Sequence, residues 1–261
     1  MNQGNVVNLP VTANGRWAPL QNVALCSRAL ERAINRAQNL PGIVTFIGPS
    51  GYGKSMAASF CANRFSGFFV ECKSYFTKKS LVESILREMG VKPARTIADM
   101  MEQAAEQLDL SQRPLILDES DFLTDHRNMI ELVRDLHEMA RATVLLIGEE
   151  NFPKKLERWE RFHNRVLVWE YAQPSHLHDA RQLAKFYATD IELGDDLLEH
   201  LIKETKGVSR LICVNIDNVR ETAKKNGWKK VDLALWGKRP LHTGHAPKRD
   251  DPDKTPPRRP S

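Results

Sequence analysis

The sequence predicts an α/β fold in which a parallel sheet of about five strands is flanked by helices and followed by a small C-terminal helical lobe. Short apolar runs rich in β-branched residues alternate with segments of helical periodicity, a pattern typical of strands buried on both faces of a parallel sheet. The predicted strands are Ile43–Ile47, Phe68–Val70, Leu115–Leu117, Val144–Ile147 and Val166–Trp169. After Pro174 only helical patterns continue, and we therefore expect a separate lobe there.

The predicted helices lie where apolar residues recur every three or four positions. Before Pro174 they are Asn22–Asn39, Lys54–Phe65, Ser80–Met89, Ile97–Leu108, Arg127–Ala140 and Phe152–Arg161, and after it His176–Thr189, Gly194–Thr205 and Val208–Asn226. These patterns divide the chain into a flexible N-terminal arm (1–16), an α/β domain (17–173), a helical lobe (174–236) and a C-terminal tail (237–261).

Composition excludes several classes of protein. Of the 261 residues, 41% are hydrophobic and 27% are charged, which excludes a mostly disordered or fibrous chain. No window approaches the roughly 18 consecutive apolar residues of a membrane helix, so we expect no membrane partner. The first residues lack the pattern of a secretory signal, and the four cysteines lack metal-site spacing. These features predict a cytoplasmic protein with reduced thiols.

Most of the positive charge lies in the C-terminal tail. The whole chain has a net charge of +5, and the tail has seven Lys and Arg against three Asp, which leaves only +1 on the rest. The tail also contains six prolines and few large apolar residues, so we expect it to be disordered. Such a tail attracts nucleic-acid phosphates without sequence preference, or serves only to keep the chain in solution.

The strongest motif is a phosphate-binding loop. It follows a predicted buried strand, opens a predicted helix and matches the pattern GxxxxGK[ST] in full, as Gly48-Pro49-Ser50-Gly51-Tyr52-Gly53-Lys54-Ser55. The glycines let successive backbone N–H groups point at an anion, and the helix N-terminus adds its positive dipole end. Lys54 can reach the β- and γ-phosphates, and the Ser55 hydroxyl can bind Mg²⁺. This loop predicts that the chain binds ATP with Mg²⁺.

A pair of acids predicts the hydrolytic half of the same site. Asp118 and Glu119 end the predicted strand Leu115–Leu117, so they lie at the carboxyl edge of the sheet, beside the phosphate loop. Asp118 would hold Mg²⁺ through a water, and Glu119 would polarise the attacking water.

From about Arg16 to Trp236 the sequence resembles the AAA+ ATPases. The phosphate loop and the acid pair described above carry this resemblance. The resemblance implies a polar sensor residue after the fourth strand, where Glu149 and Asn151 both lie. It also implies an arginine finger before the fifth strand, acting on the neighbouring subunit, for which Arg165 is our first choice and Arg161 the second. Arg210, after Gly207-Val208-Ser209, is similar to the second sensor that contacts the bound nucleotide.

Within the AAA+ ATPases, the segments GPSGYGKSMAA, DES and GEE…WERFHNR most resemble the transposition helper ATPases of the bacteriophage Mu B type. The resemblance implies an ATPase of the bacterial or phage-infected cytoplasm that forms rings or helical filaments on duplex DNA. Such proteins capture target DNA and deliver it to a transposase. The phage B protein has an extra N-terminal DNA-binding domain, which the roughly twenty residues before the first predicted helix cannot supply. We therefore expect the ATPase core of this chain to bind DNA itself.

One loop after the second predicted strand interleaves basic, aromatic and hydroxyl side chains. In the related DNA-wrapping ATPases the loop at this place lines the inner surface of the filament. We expect DNA contacts, without sequence specificity, from Lys73, Ser74, Tyr75, Thr77, Lys78 and Lys79. Alternatively, Lys78, Lys79 and Ser80 only begin a helix beside a buried Tyr75 and Phe76.

Two other functions stay open. A replicative helicase loader has the same fold but acts on single-stranded DNA, and loaders usually carry an additional N-terminal region. A metabolic P-loop kinase would need an acceptor-substrate pocket, whereas the arginines and the helical lobe favour ATP sensing between subunits.

Overall fold

The computed structural model describes residues 19–124 and 127–244. Its centre is a five-stranded parallel sheet in the order β2-β3-β4-β1-β5. The strands are β1 (Ile43–Ile47), β2 (Phe68–Glu71), β3 (Leu115–Asp118), β4 (Val144–Gly148) and β5 (Val166–Tyr171). The predicted sheet is therefore confirmed, with the observed strands extending one or two residues beyond the predicted carboxyl ends of β2 to β5.

Helices cover both faces of the sheet. They are α1 (Gln21–Ile34), α2 (Lys54–Arg64), α3 (Lys78–Glu88), α4 (Ile97–Ser111), α5 (Asp121–Thr124), α6 (Arg127–Ala140), α7 (Phe152–Leu156) and α8 (Glu160–His163). Alternate residues of β1 enter two separate cores: Val44 and Phe46 pack with α1, α2 and the C-terminal lobe, whereas Ile43 and Ile47 pack with α3, α4 and α6. Because all five strands run parallel, their carboxyl ends lie at one edge of this three-layer arrangement.

The segment predicted as one helix from Phe152 to Arg161 forms two short helices instead. Pro153 lies in the first turn of α7, and the backbone leaves helical geometry at Trp159, where φ is −117° and ψ is 67°. The break lets Leu156 and Phe162, on either side of it, both bury completely in the core beneath the sheet. Tertiary packing therefore overrides the local helical periodicity here.

The C-terminal lobe consists of α9 (Leu177–Tyr187), α10 (Asp195–Thr205), α11 (Ser209–Asn226) and α12 (Leu233–Trp236). It also contains two short parallel strands, β6 (Glu192–Leu193) and β7 (Lys230–Val231), although the sequence predicted none after Pro174. Two residues per strand are too few to show the alternation on which strand prediction depends. The predicted domain boundary at 173–174 falls between β5 and α9.

The first residues of the predicted tail pack against the lobe, which corrects the expectation of disorder from residue 237 onward. The Asn215 side chain on α11 donates to the His242 carbonyl and accepts from the His242 N–H, at 2.9 and 2.7 Å. The Arg239 guanidinium lies 5.0 Å from the centre of the Trp228 ring. The rest of the tail, 245–261, and the N-terminal arm, 1–16, lie outside the described residues. Within the described ranges, no helix is both long and apolar enough to cross a membrane.

Candidate active site

The phosphate loop joins β1 to α2 at the carboxyl edge of the sheet. Gly51 and Gly53 both have left-handed backbone conformations, with φ of +84° and +79°, which residues with a Cβ rarely adopt. Gly53 directly precedes the first helical residue, Lys54. The Lys54 ammonium donates to the carbonyl oxygens of Gly48 and Pro49 at 2.7 and 3.0 Å, so its side chain folds back over the loop.

Carboxylates surround Lys54 at this edge. Partial burial lowers the pKa of Lys54, and the negative charges of Glu149, Glu119 and Asp118 act in the opposite direction. The Lys54 ammonium therefore lies near several acids, in a position where it can neutralise phosphate oxygens.

Asp118 is buried at the end of β3 and lies beside the phosphate loop. Burial raises the pKa of its carboxyl group, whereas hydrogen bonds from the Ser55 side chain and the Glu119 N–H lower it. The Glu119 N–H lies 2.9 Å from Asp118 Oδ1. A carboxylate in contact with a hydroxyl at the entrance of a phosphate loop is the donor set that Mg²⁺ uses together with substrate phosphates and waters. The residues present therefore fit the predicted Mg²⁺ site.

Glu119, the residue after Asp118, has a strained backbone conformation. Its φ is +52°, a left-handed conformation that is uncommon for a residue with a side chain and costs about 1–2 kcal/mol. Partial burial raises the pKa of its carboxyl group, and the charge of Asp118 adds to that effect. Strain of this kind is concentrated at functional sites.

The lobe closes the other side of the site. The Arg210 N–H donates to the Gly51 carbonyl at 3.0 Å, so the beginning of α11 contacts the phosphate loop directly. The Ser209 and Ser175 hydroxyls lie 2.6 Å apart just behind this contact. The structure therefore brings Arg210, predicted as the second sensor, to the same place as the phosphate loop and the acid pair.

Between sheet and lobe lies a cavity of about 230 Å³. Loop residues, Asp118, Glu119 and Arg210 form its polar end, and Met56, Leu183, Tyr187 and Cys213 contribute less polar wall. Of the predicted loop residues, Gly48, Pro49 and Tyr52 do not line it. The sequence did not identify Leu183, Tyr187 and Cys213 as lining residues, because they follow ordinary helical core spacing.

Asn22 is a second feature that the sequence did not reveal. This buried side chain on α1 donates to the carbonyls of Tyr52 and Gln173 and accepts from the Gln173 N–H, each at 2.8 Å. It thereby ties the first helix, the phosphate loop and the connection to the lobe together. A single Asn within an amphipathic helix gives no signal of such a role.

We expect Gly51→Ala to weaken nucleotide binding, because a Cβ at Gly51 would lie 2.7 Å from Val208 Cγ1 and would push the lobe off the phosphate loop. The strained φ adds a loss of about 1–2 kcal/mol in stability. Gly90→Ala is the matched control, since Gly90 has a φ of +76° but open space around it. Both variants should lose a few degrees in Tm, and only Gly51→Ala should lose nucleotide affinity in a titration. Equal affinities would show that the lobe contact is unimportant.

Of the two predicted sensor residues, the structure places Glu149 in the cavity. Its backbone N–H donates to the buried Asp121 carboxylate at 2.6 Å, and Asp121 also pairs with Lys155 at 3.0 Å. Asn151 precedes α7 and does not line the cavity. Glu149 is thus the better placed of the two, although an acid differs from the usual Asn or Thr.

The predicted arginine finger lies at the opposite edge of the sheet. Arg165 directly precedes β5, and its carbonyl accepts from the Ile43 N–H at the start of β1. Because β1 runs from this edge to the phosphate loop, Arg165 cannot contact a nucleotide in its own chain. Its guanidinium pairs with Glu138 on α6, whereas the alternative Arg161 is exposed on α8.

The loop predicted to bind DNA lies at the same edge as the nucleotide site. The Cys72 N–H donates to the Asp118 carbonyl at 2.9 Å, and the Tyr75 ring is 77% exposed, which contradicts the alternative that it is buried. The expected helix beginning is present, since Thr77 caps α3 in a capping box with Ser80.

Two of the three lysines in this loop already have carboxylate partners within the chain. Lys73 pairs with Glu71 at 2.5 Å and Lys79 with Glu83 at 4.0 Å, and all four side chains are at least partly exposed. Exposed pairs of this kind contribute at most about 1 kcal/mol each, so a phosphate can replace either carboxylate. Ser74 is exposed, and Lys78 is half-buried.

Comparisons with known proteins agree with this fold. Residues 37–156 match the family model described as an AAA domain. The chain is similar to a structure of the Aeropyrum pernix ORC2 protein in ADPNP and ADP complexes (16% identity, TM-score 0.62), covering 82% of this chain and 65% of that one. It is also similar to the Thermotoga maritima RuvB Holliday junction branch migration motor (18% identity, TM-score 0.57), covering 82% of this chain and 66% of that one.

A third similar structure is the Aeropyrum pernix ORC1 protein in complex with DNA, at 19% identity and a TM-score of 0.55, with 80% of this chain and 61% of that chain covered. The chain thus spans a little under two thirds of the length of these three structures. No curated protein sequence matches it. The chain accordingly contains a segment that matches an AAA domain, and it has the AAA+ ATPase fold.

Proposed function

We propose that this protein is an ATPase that assembles on duplex DNA while bound to ATP, captures target DNA and delivers it to a transposase. The observation that carries the ATPase part is the meeting of three features at one cavity: the phosphate loop, the Asp118–Glu119 pair and the lobe arginine Arg210. A glycine turn without a ligand would need neither the adjacent acids nor the arginine.

The chain's own residues divide the work of hydrolysis. Backbone N–H groups of the phosphate loop and the Lys54 ammonium would hold the β- and γ-phosphates. Glu119 would orient the attacking water and accept its proton, since its carboxylate lies at the cavity and is not committed to an ion pair within the described residues. Arg210 would contact the phosphates from the lobe side. Mg²⁺, held by Ser55 and Asp118, would neutralise the charge that develops on the phosphate oxygens.

The position of Arg165 supports the proposed assembly. A guanidinium at the edge opposite the phosphate loop is able to act only on the nucleotide of a neighbouring copy, so we propose that hydrolysis requires contact between subunits. The rate of ATP turnover would then depend on how far the subunits have assembled. Rings and helical filaments both provide such contacts, and both bring many copies of the exposed loop at Lys73–Lys79 onto one DNA molecule.

The DNA and transposition parts are supported by the resemblance to Mu B-type ATPases and by the exposed basic loop. The likeness to an ORC1 protein in complex with DNA is consistent with nucleic-acid binding at this fold. A helicase loader would instead prefer single-stranded DNA, so strand preference separates the two proposals.

We expect the triple variant Lys73→Glu, Lys78→Glu, Lys79→Glu to bind duplex DNA about 10- to 100-fold more weakly while ATP affinity stays unchanged. Each phosphate contact releases counterions when DNA binds. Losing three contacts should therefore lower the magnitude of the slope of log affinity against log salt by up to about 3. The measurement is fluorescence anisotropy with labelled duplex DNA and a non-hydrolysable ATP analogue.

A charge-matched control reverses three exposed lysines of the lobe, Lys185, Lys203 and Lys225. It changes the net charge by the same amount, so it corrects for long-range repulsion. If the two triple variants bind DNA equally well, the loop is not the DNA-binding surface.

A further inference from the structure

The guanidinium of Arg165 is aimed by one carboxylate. Glu138, on α6, accepts from Arg165 Nε at 3.0 Å, and its same oxygen lies 2.9 Å from Arg165 Nη2. Nε and Nη2 form one side of the planar guanidinium, so the pair fixes the rotation of the group as well as its position. Both side chains are nearly half exposed, at 46% and 43%, and the pair therefore lies at the protein surface.

Glu138 also lies at the end of a group of charged side chains on α6. Its other carboxylate oxygen lies 4.0 Å from Nε of Arg134, a side chain that is only 15% exposed. Arg134 is in turn fixed by Asp135, at 2.7 Å, and by Glu131. The carboxylate that receives Arg165 is thus part of a charge network on a helix whose other face is buried in the core.

The backbone at Arg165 is equally constrained. Its N–H donates to the Phe162 carbonyl at 2.8 Å, and its carbonyl accepts from Ile43 on the central strand at 3.3 Å. With the main chain and one side of the guanidinium both fixed, the remaining side chain has little freedom. Nη1 has no acceptor among residues 19–124 and 127–244, so the outer end of the guanidinium presents free N–H donors to solvent.

We propose that Glu138 is a positioning residue for Arg165, holding the guanidinium with its free donor end outward so that it meets the γ-phosphate bound by a neighbouring copy. This inference rests on the proposed role of Arg165 as an arginine finger. The effect of Glu138 on the reaction would pass entirely through the orientation of Arg165. Preorganisation of this kind accelerates chemistry because the donor need not be ordered during the reaction.

The test is the steady-state ATPase activity of full-length Glu138→Ala, Glu138→Gln and Arg165→Ala, at protein concentrations where activity per subunit no longer rises. Glu138→Ala should lower kcat about 10-fold or more while KM for ATP changes less than about 2-fold. Glu138→Gln retains an acceptor oxygen and should recover most of the rate. A merely structural role would not produce a loss confined to kcat with rescue by the isosteric variant.

Asp195→Ala is the matched control for Glu138→Ala. Asp195 makes an equally exposed bidentate pair with Arg181 on the lobe, at 2.8 and 2.7 Å, away from both edges discussed above. It should lose a similar small amount of stability and keep its kcat. An unspecific effect of breaking a surface arginine pair would appear in this variant too and would overturn the inference.

A mixing experiment distinguishes a wrongly oriented Arg165 from damage to the nucleotide site of the Glu138→Ala chain itself. Glu119→Gln chains are expected to bind ATP and to assemble while hydrolysing slowly, and they keep Arg165 and Glu138 intact, so adding them to Glu138→Ala chains should restore hydrolysis by supplying properly aimed fingers in trans. Failure of restoration would overturn the positioning role. If Arg165→Ala loses activity while Glu138→Ala keeps it, only this inference fails. If Arg165→Ala itself keeps full kcat, the proposed finger fails as well.

Discussion

Lys54→Ala is expected to raise the dissociation constant for ATP at least 100-fold, which corresponds to about 2.7 kcal/mol of lost binding energy. The ammonium is the one cation of the phosphate loop, and it lies among Asp118, Glu119 and Glu149. Its removal leaves these carboxylates facing the phosphates without compensation. The expected loss therefore has two parts: the attraction between the ammonium and the phosphates disappears, and the repulsion between the carboxylates and the phosphates is no longer compensated.

Isothermal titration with a non-hydrolysable ATP analogue measures this loss. Lys203→Ala, an exposed lysine of the lobe, is the control for removing one positive charge. The far-ultraviolet circular dichroism of both variants should match that of the unaltered chain, because the two hydrogen bonds of Lys54 to loop carbonyls are partly solvent-accessible. ATP affinity that survives Lys54→Ala would reject the assignment of the phosphate loop.

Glu119→Gln is expected to keep ATP affinity and to lower the rate of hydrolysis by about 10²- to 10⁴-fold, the usual contribution of a general base. The substitution preserves side-chain shape and the Glu119 N–H bond to Asp118, so it removes only the capacity to accept a proton. Because ATP then persists in the site, complexes with DNA should also dissociate more slowly.

Single-turnover hydrolysis under saturating protein measures this chemical step without interference from product release. Glu150→Gln is the control, since Glu150 is exposed, follows Glu149 directly and does not line the cavity. A Glu119→Gln rate within a few fold of the control would remove Glu119 from the mechanism and direct attention to Glu149, the other glutamate that lines the cavity.

The arrangement of the candidate nucleotide site was predictable because its parts are local in sequence. A strand, a glycine-rich turn and a helix follow one another within Ile43–Arg64, and the acid pair directly ends a strand. Parallel strands bring such carboxyl ends to one edge whatever the rest of the fold does. Arg210 was predictable only through resemblance, since its contact with Gly51 joins segments that are far apart in the chain.

The supporting residues were not predictable for the same physical reason. Asn22 binds Gln173 across 151 positions, and Glu138 meets Arg165 across 27. Neither pair leaves a periodic or compositional signal, because each is a single polar side chain in an ordinary amphipathic helix or loop. Such contacts follow from the packing of helices on the sheet.

The basic loop shows a different limit. Its composition indicated three free lysines, yet two of them have carboxylate partners, of which Glu71 lies on β2 and Glu83 one turn into α3. Sequence gives the charges of a surface but not which of them are already paired. The strength of the DNA contact therefore depends on how readily phosphate replaces these exposed carboxylates.

Sedimentation velocity of the full-length protein with duplex DNA, in the presence of ATP, of ADP and of no nucleotide, tests the central claim most directly. We predict large, fast-sedimenting complexes of many copies on duplex DNA with ATP only, and smaller species in the other two conditions. Single-stranded DNA of equal length should not support them. Sedimentation that is independent of nucleotide would contradict ATP-controlled assembly, and large complexes on single strands alone would contradict the transposition role in favour of a helicase loader.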